Sequence, residues 1–301
     1  MEYLNEEQVR ARLSYPELIP AVGRALRDLS LGRIQQPVRS VLRLPEHHGI
    51  LGLMPAVDGD LIGIKLVTIY ERNHDLPTHQ ATIQLFSAHT GEPLVAMDAR
   101  LITEMRTAAV SALTVRTLAH PEARVLAILG SGVQARSHLQ ALRSICSFDE
   151  VRVWSRTPDH AQRFAQDHGA QAMETAEAAV RGADIVIAVA NVREPLVRGA
   201  WLGEDTMVCA VAAIGPDRRE LDDTAMQATL VVESRQAAML ESGDLIGSGA
   251  PIAAEIGEIL AGLKPHPPRG RIVFKSLGVG ATDLAAAAVV WRGWKDSSAV
   301  K

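Results

Sequence analysis

Cysteine is scarce in this chain of 301 residues: there are two, Cys146 and Cys209, each inside an apolar segment. Two isolated cysteines provide neither a disulfide framework nor a metal-ligand spacing. His47, His48, His79 and His138 show no ligand spacing either, so no metal is expected. Apolar runs are also short, none approaching the ~20 residues that span a bilayer. The opening Met1-Glu-Tyr-Leu-Asn-Glu-Glu7 lacks the basic and apolar regions of a signal peptide, so a cytoplasmic location is expected. A basic block is missing as well. Net charge is −4 with lysines and arginines scattered, which argues against nucleic acid as a partner. There is no internal repeat. What remains is globular: 47% hydrophobic and 22% charged residues, at a length that suggests about two domains.

The most informative segment is Arg124-Val-Leu-Ala-Ile-Leu-Gly-Ser-Gly-Val-Gln-Ala-Arg136. An apolar strand, Val125–Leu129, runs into Gly130-Ser131-Gly132, with Ala135 at the third small position of a G-x-G-x-x-G/A fingerprint. Ala135, Leu139, Leu142 and Cys146 then repeat at helical steps. In that context Gly130 allows a tight turn, Gly132 lets backbone approach a pyrophosphate, and Ala135 lets the helix lie close on the sheet. The N–H groups at the helix start favour phosphate. A second strand, Glu150–Trp154, ends in Ser155-Arg156-Thr157. The acid that would bind a ribose 2′-OH is absent there, and these three residues suit a 2′-phosphate instead. NADP(H) is the expected cofactor, with NAD(H) as the alternative.

Periodicity divides the chain. Residues 1–29 read as a helix. Val38–Leu44, Ile50–Met54, Leu61–Tyr70, Gln80–Ser87 and Pro93–Ala99 read as strands of an antiparallel or mixed sheet. A helix follows from about Thr103 to Ala119, ended by His120-Pro121. From Arg124 onward strands and helices alternate, the mark of a parallel sheet. Strands are expected at Val151–Trp154, Asp184–Ala190, Met207–Ile214, Leu230–Glu233 and Ile272–Leu277, and helices at Pro158–His168, Thr175–Arg181 and Ile252–Leu260. An apolar helix from Asp283 to Trp294 is expected to return to the first domain. The fold class is therefore α/β: a Rossmann-type doubly wound parallel sheet over 119–283, and a discontinuous α+β domain over 1–118 with 284–301.

Seven segments resemble, in order, the ornithine cyclodeaminase/mu-crystallin family: Leu53-Met-Pro55, Lys65-Leu-Val67, Thr78–Thr82, Arg106-Thr-Ala-Ala109, Gly130–Ala135, Arg219-Glu-Leu-Asp222 and Phe274-Lys-Ser-Leu-Gly278. Gln36-Pro-Val-Arg39, Glu241-Ser-Gly-Asp244 and Ser248-Gly-Ala250 look most like its mu-crystallin branch, whose studied members are NADPH-dependent ketimine reductases; some also bind thyroid hormone. The resemblance implies a homodimer, with the discontinuous domain binding substrate and dimerising. It also implies NADPH-dependent reduction of a small imino acid, such as Δ1-pyrroline-2-carboxylate to proline.

Carried over residue by residue, the resemblance makes Arg39, Lys65 and Arg106 carboxylate-binding cations and Thr78 a substrate-contacting hydroxyl. Arginine forks match carboxylates. Lys65 stands out even without the family, because it interrupts the apolar run Leu61–Val67, where an unpaired ammonium is costly to bury. Lys65 is also the expected catalytic residue. The proton source stays open between Lys65, Glu255 and a substrate that binds already protonated. The expected cofactor contacts are Gly130, Gly132, Val133, Gln134, Ala135, Ser155, Arg156, Thr157, Ala190, Ala212 and Leu277.

One departure bears on the reaction. Where ornithine cyclodeaminases carry a catalytic aspartate, two residues before the proline matching Pro216, this chain has Ile214. Isoleucine cannot accept a proton, which counts against ornithine cyclisation. Mu-crystallin carries a Ser-Arg pair where Ile214-Gly215 stand, which counts against hormone-like ligands. Ornithine cyclodeaminase, amino acid dehydrogenation and non-catalytic NADPH-dependent binding remain as alternatives.

Overall fold

In the structure, a computed structural model that describes residues 1–299, packing divides the chain into two units: Met1–Arg106 with Gly278–Lys301, and Thr107–Leu277. The expected boundaries were 118/119 and 283/284. The observed divisions fall twelve and six residues earlier, so most of one helix goes with the second unit and Gly278–Asp283 with the first.

The first unit begins with β1 (Glu2–Leu4), α1 (Glu6–Arg10) and α2 (Tyr15–Ser30), followed by β2 (Ser40–Leu44), β3 (Gly49–Asp58), β4 (Leu61–Tyr70), β5 (His79–Ser87) and β6 (Pro93–Asp98). The single helix expected over 1–29 is thus a strand and two helices. Asn5 and Gln8 form a capping box that starts α1, and Pro16 sits in the first turn of α2, where its missing N–H is harmless. The sheet order is β1-β6-β5-β4-β3-β2, parallel at β1–β6 and antiparallel elsewhere.

Side chains alternate across this sheet as a two-residue period requires. Met54, Ala56, Lys65, Ile83, Leu85, Val95 and Met97 are buried on one face. That face is covered by the last helix, Gly280–Ala299, against which α2 packs in turn. Leu284 Cδ1 of the last helix lies 2.7 Å from where a Cβ on Gly63 would stand, so a larger residue there would force that side chain to shift. Next comes α3 (Arg100–Leu118), whose first N–H is held by Asp98 at 2.9 Å.

The second unit contains β7 (Val125–Leu129), α4 (Val133–Arg143), β8 (Glu150–Trp154), α5 (Pro158–His168), β9 (Gln171–Ala172), α6 (Ala176–Val180), β10 (Ile185–Ala188) and β11 (Met207–Ala210). It continues through β12 (Thr229–Val232), α7 (Arg235–Glu241), α8 (Gly243–Ser248), β13 (Ile252–Glu255), α9 (Ile256–Leu260) and β14 (Ile272–Lys275); the last helix is α10. All its strands are parallel, in the order β13-β12-β14-β11-β10-β7-β8-β9. Buried on both faces, the central strands β10 and β11 are apolar throughout. From β7 the chain winds outward through β8 and β9, then returns to β10 on the other side. That reversal is the topological switch point where ligands of such sheets bind.

The expectation of a helix over Ile252–Leu260 is corrected. Ile252–Glu255 pairs with β12 as an edge strand, and the helix begins only at Ile256. The Glu255 N–H donates to Glu258 Oε2 at 2.8 Å, fixing that start. A four-residue apolar segment has no periodicity of its own, so pairing decides its conformation. Among the described residues no helix is long and apolar enough to cross a membrane, and no His/Cys/Asp/Glu group is arranged for a metal.

Candidate active site

Within the first unit, one row across the sheet reads Met54, Lys65, Ile83, Met97. Lys65 is the charged member of this apolar row and only 2% exposed. Its Nζ lies 2.7 Å from Asp283 Oδ2, while Asp283 Oδ1 accepts from Arg106 Nε at 2.9 Å. Arg106 lies in the second turn of α3 and is buried. Its guanidinium lies against Gly278, where a Cβ would come within 2.6 Å of Nη2, and Gly278 has a φ of +75°. Arg39 completes the group, donating through Nη2 to the Gly278 carbonyl at 2.6 Å. Gln36, three residues earlier, accepts the Ala281 N–H of α10 at 2.7 Å. The Gln36–Arg39 segment thus holds the turn that delivers Asp283.

The electrostatics are those of an unfinished ion cluster. Three cations face one carboxylate, and Arg106 Nη1 is buried without a hydrogen-bond partner. Burial pushes the Lys65 ammonium down to about 8; Asp283 opposes that shift, and Arg106 and Arg39 add to it. Burial alone would raise the Asp283 carboxyl, but Arg106 and Lys65 outweigh it and hold it below its ordinary value. Asp283 was not among the expected site residues. Its only local signal was an acid in the first turn of a helix, which is common.

Although its neighbour His79 feels the Lys65 charge, Thr78 makes no hydrogen bond to this cluster among the described residues. Its carbonyl pairs with the Tyr70 N–H and its hydroxyl meets His79 Nδ1 at 3.1 Å, both on exposed chain. By the register, Lys65 shares its face with Ile83, and Thr78 precedes the strand at a bend. Glu255 is engaged in the second unit, where Oε1 accepts the Arg235 N–H at 2.8 Å at the start of α7. His47 and His48 are exposed. His138 is fully buried between Ser111 Oγ (2.9 Å) and the Gln134 carbonyl (2.8 Å), and burial lowers it to about 4, so it is neutral.

The second unit collects the expected cofactor residues at the carboxyl ends of its strands. Gly130 has a φ of +126°, and a Cβ there would meet the Val189 backbone at 3.1 Å. Gly132 is the N-cap of α4 without a side-chain cap, and a Cβ there would meet nothing within 4 Å. Val133 is exposed, Gln134 half-buried and Ala135 fully buried against the sheet. Ser131 Oγ donates to Ser155 Oγ at 3.0 Å, joining the glycine turn to the end of β8. Arg156 and Thr157 are exposed beside it. Ala190 follows β10, Ala212 follows β11, and buried Leu277 follows β14.

A buried network holds that edge in place. Lys275 Nζ donates to the Ala213 carbonyl at 2.9 Å and to Glu220 Oε2 at 2.8 Å, with Asp244 Oδ2 at 2.9 Å. Glu220 Oε1 accepts the Ala212 N–H, and Asp244 Oδ1 accepts the N–H groups of Glu220 and Leu221. Burial raises Glu220, against the pull of Lys275, whereas Lys275 itself is raised because its two carboxylates outweigh burial. The lysine of Phe274–Gly278 and the acid of Arg219–Asp222 are thus partners, which neither segment reveals alone. Ile214 lies on the adjoining loop, 40% exposed, before Gly215 at φ +123°.

The sequence profile of the ornithine cyclodeaminase/mu-crystallin family matches residues 2–298. The chain is 44% identical to ketimine reductase mu-crystallin of Mus musculus, over 97% of each chain. Among solved structures, Δ1-pyrroline-2-carboxylate reductase of Thermococcus litoralis, in complex with NADH and L-proline, superposes with a TM-score of 0.94. It is 32% identical, with 99% of this chain and 98% of that chain covered. An archaeal alanine dehydrogenase, solved as a dimer with bound NAD, gives a TM-score of 0.92 at 30% identity, over 99% of this chain and 97% of that chain.

Proposed function

The chain belongs to the ornithine cyclodeaminase/mu-crystallin family, and we propose that within it the protein is an NADPH-dependent reductase of a small cyclic imino acid, such as Δ1-pyrroline-2-carboxylate. The observation that carries this reading is the surplus of cations around Asp283, with a buried guanidinium nitrogen lacking an acceptor. An unpaired buried charged donor is costly, and a substrate carboxylate supplies the missing acceptor.

The second unit fits a nicotinamide dinucleotide: open space at Gly132, a helix start without a side-chain cap, and no acid at Ser155-Arg156-Thr157. When bound, the cofactor supplies the hydride. Gly130, Gly132 and the N–H groups of Val133–Ala135 hold the pyrophosphate, and Ser155, Arg156 and Thr157 favour the 2′-phosphate of NADP(H). Ala190, Ala212 and Leu277, which follow β10, β11 and β14, would complete the cofactor's site.

Arg39, Lys65 and Arg106 bind and orient the carboxylate, and Asp283 positions the last two. Of these groups Lys65 alone has a labile proton near neutral pH, since guanidiniums keep theirs and Asp283 is held ionised. Lys65 therefore holds, at Nζ, a proton for the imine nitrogen. Ile214 offers apolar surface where a deaminating cyclase needs a carboxylate.

We assign a homodimer, supported by the outer face of the six-stranded sheet, where Ile62 and Ile64 are half-buried and Leu66 is 38% exposed, and by the dimeric alanine dehydrogenase relative. The testing experiment is NADPH oxidation with cyclic ketimines alongside ammonia release from ornithine. Stoichiometric oxidation without ammonia is expected. Ammonia release with catalytic NAD, at rates rivalling imine reduction, would overturn the reductase reading.

A further inference from the structure

Besides the residues already assigned, the glycine turn borders a cleft of about 340 Å³ between the start of α4 and one face of α5. Ser131 and Gly132 form its wall on the turn side, and Arg136, His160, Arg163 and Asp167 contribute to the rest. His160, Arg163 and Asp167 are spaced three and four apart, so they share one face of α5. The lining therefore carries two permanent guanidinium charges against one carboxylate. Both arginines are exposed, so neither is needed to fill the core.

Its position relates this charge to one part of the ligand. A dinucleotide held at Gly132 extends its adenosine half toward the end of the second strand, here β8, which is tied to the turn by the Ser131–Ser155 hydroxyl contact. The helix that follows β8 is α5, so the cleft lies beside the ribose edge that separates NADP from NAD. A pyrophosphate on a helix start needs no further cations, whereas a phosphate monoester on the 2′ oxygen adds a group that arginine forks match.

We propose that Arg136 and Arg163, which both line this cleft, form a second cationic wall for the adenosine 2′-phosphate, in addition to Arg156. The proposal rests on the NADP reading above. It adds that selectivity is distributed over α4 and α5 and does not reside in the loop after β8 alone.

The test uses dissociation constants of the full chain for NADPH, NADH, 2′,5′-ADP and 5′-AMP, measured by calorimetry. Arg136→Gln and Arg163→Gln should each weaken 2′,5′-ADP and NADPH about tenfold, near 1.4 kcal/mol, and leave 5′-AMP and NADH within about twofold. Arg143→Gln removes an equal charge from the far end of α4 and should change neither. If both variants bind 2′,5′-ADP like wild type while Arg156→Ala loses it, the cleft is not the subsite and the NADP reading stands. An equal loss with Arg143→Gln would reduce the effect to diffuse charge and overturn the proposal. Wild type binding 2′,5′-ADP no better than 5′-AMP would overturn both. Inorganic phosphate at the same concentration should not compete; tight binding of it would mark an independent anion site and also overturn the assignment.

Discussion

Lys65 and Asp283 show how strongly one residue depends on its partners. A lysine in an apolar row would be expelled or neutralised, but here the carboxylate 2.7 Å away keeps it charged below a value of about 8. The sign of the pH effect follows. Below about 8 Lys65 is an ammonium that attracts a carboxylate, and above it a neutral amine that does not. kcat/KM for a cyclic imino acid should therefore fall as pH rises through about 8, since that ratio reports groups of the free enzyme. In Lys65→Arg the falling limb should disappear, because a guanidinium stays charged, whatever the absolute rate. A wild-type profile flat from pH 7 to 9.5 would remove Lys65 from the site.

At the scale of elements, the β7–α4 turn separates two glycines that look alike in sequence. Gly130 has a φ of +126° and the Val189 backbone close by, so alanine there is strained and crowded; a cost of about 1–3 kcal/mol is expected. Gly132 has an ordinary φ of −88° and open space around it. Gly132→Ala should melt like wild type yet bind NADPH about tenfold more weakly, a loss near 1.4 kcal/mol, because its methyl projects where phosphate must approach. Gly130→Ala should lower Tm. Thermal melts and cofactor titrations of the two variants read the difference directly; a Gly132→Ala protein that binds NADPH normally would contradict the phosphate-turn reading.

At the scale of the whole molecule, the six-stranded sheet has one face covered by α10 and another that keeps Leu66 38% exposed near Ile62 and Ile64. Scattered apolar residues are normal on a surface, but a row along one strand face suits a second copy of the chain. Light scattering should give twice the mass of the chain, and Leu66→Arg should shift it toward the monomer without loss of the Lys65–Asp283 cluster, which lies on the opposite face. A monomeric wild type would refute the dimer.

What the sequence determined alone is whatever depends on near neighbours. The apolar run Leu61–Val67 that makes Lys65 anomalous, the glycine turn after Val125–Leu129 and the missing acid after Trp154 are local facts, legible because backbone geometry acts over a few residues. Capping at Asn5 is equally local. Tertiary structure decided the rest. Arg106 meets Asp283 across 177 residues and Lys275 meets Glu220 across 55, and no spacing rule ranks one acid above another at such separations. Ile252–Glu255 became a strand because β12 offered its edge. Pairing of buried charges and strand edges is set by which groups the fold brings within reach, since an unpaired polar group in the interior is penalised wherever its partner lies in the chain.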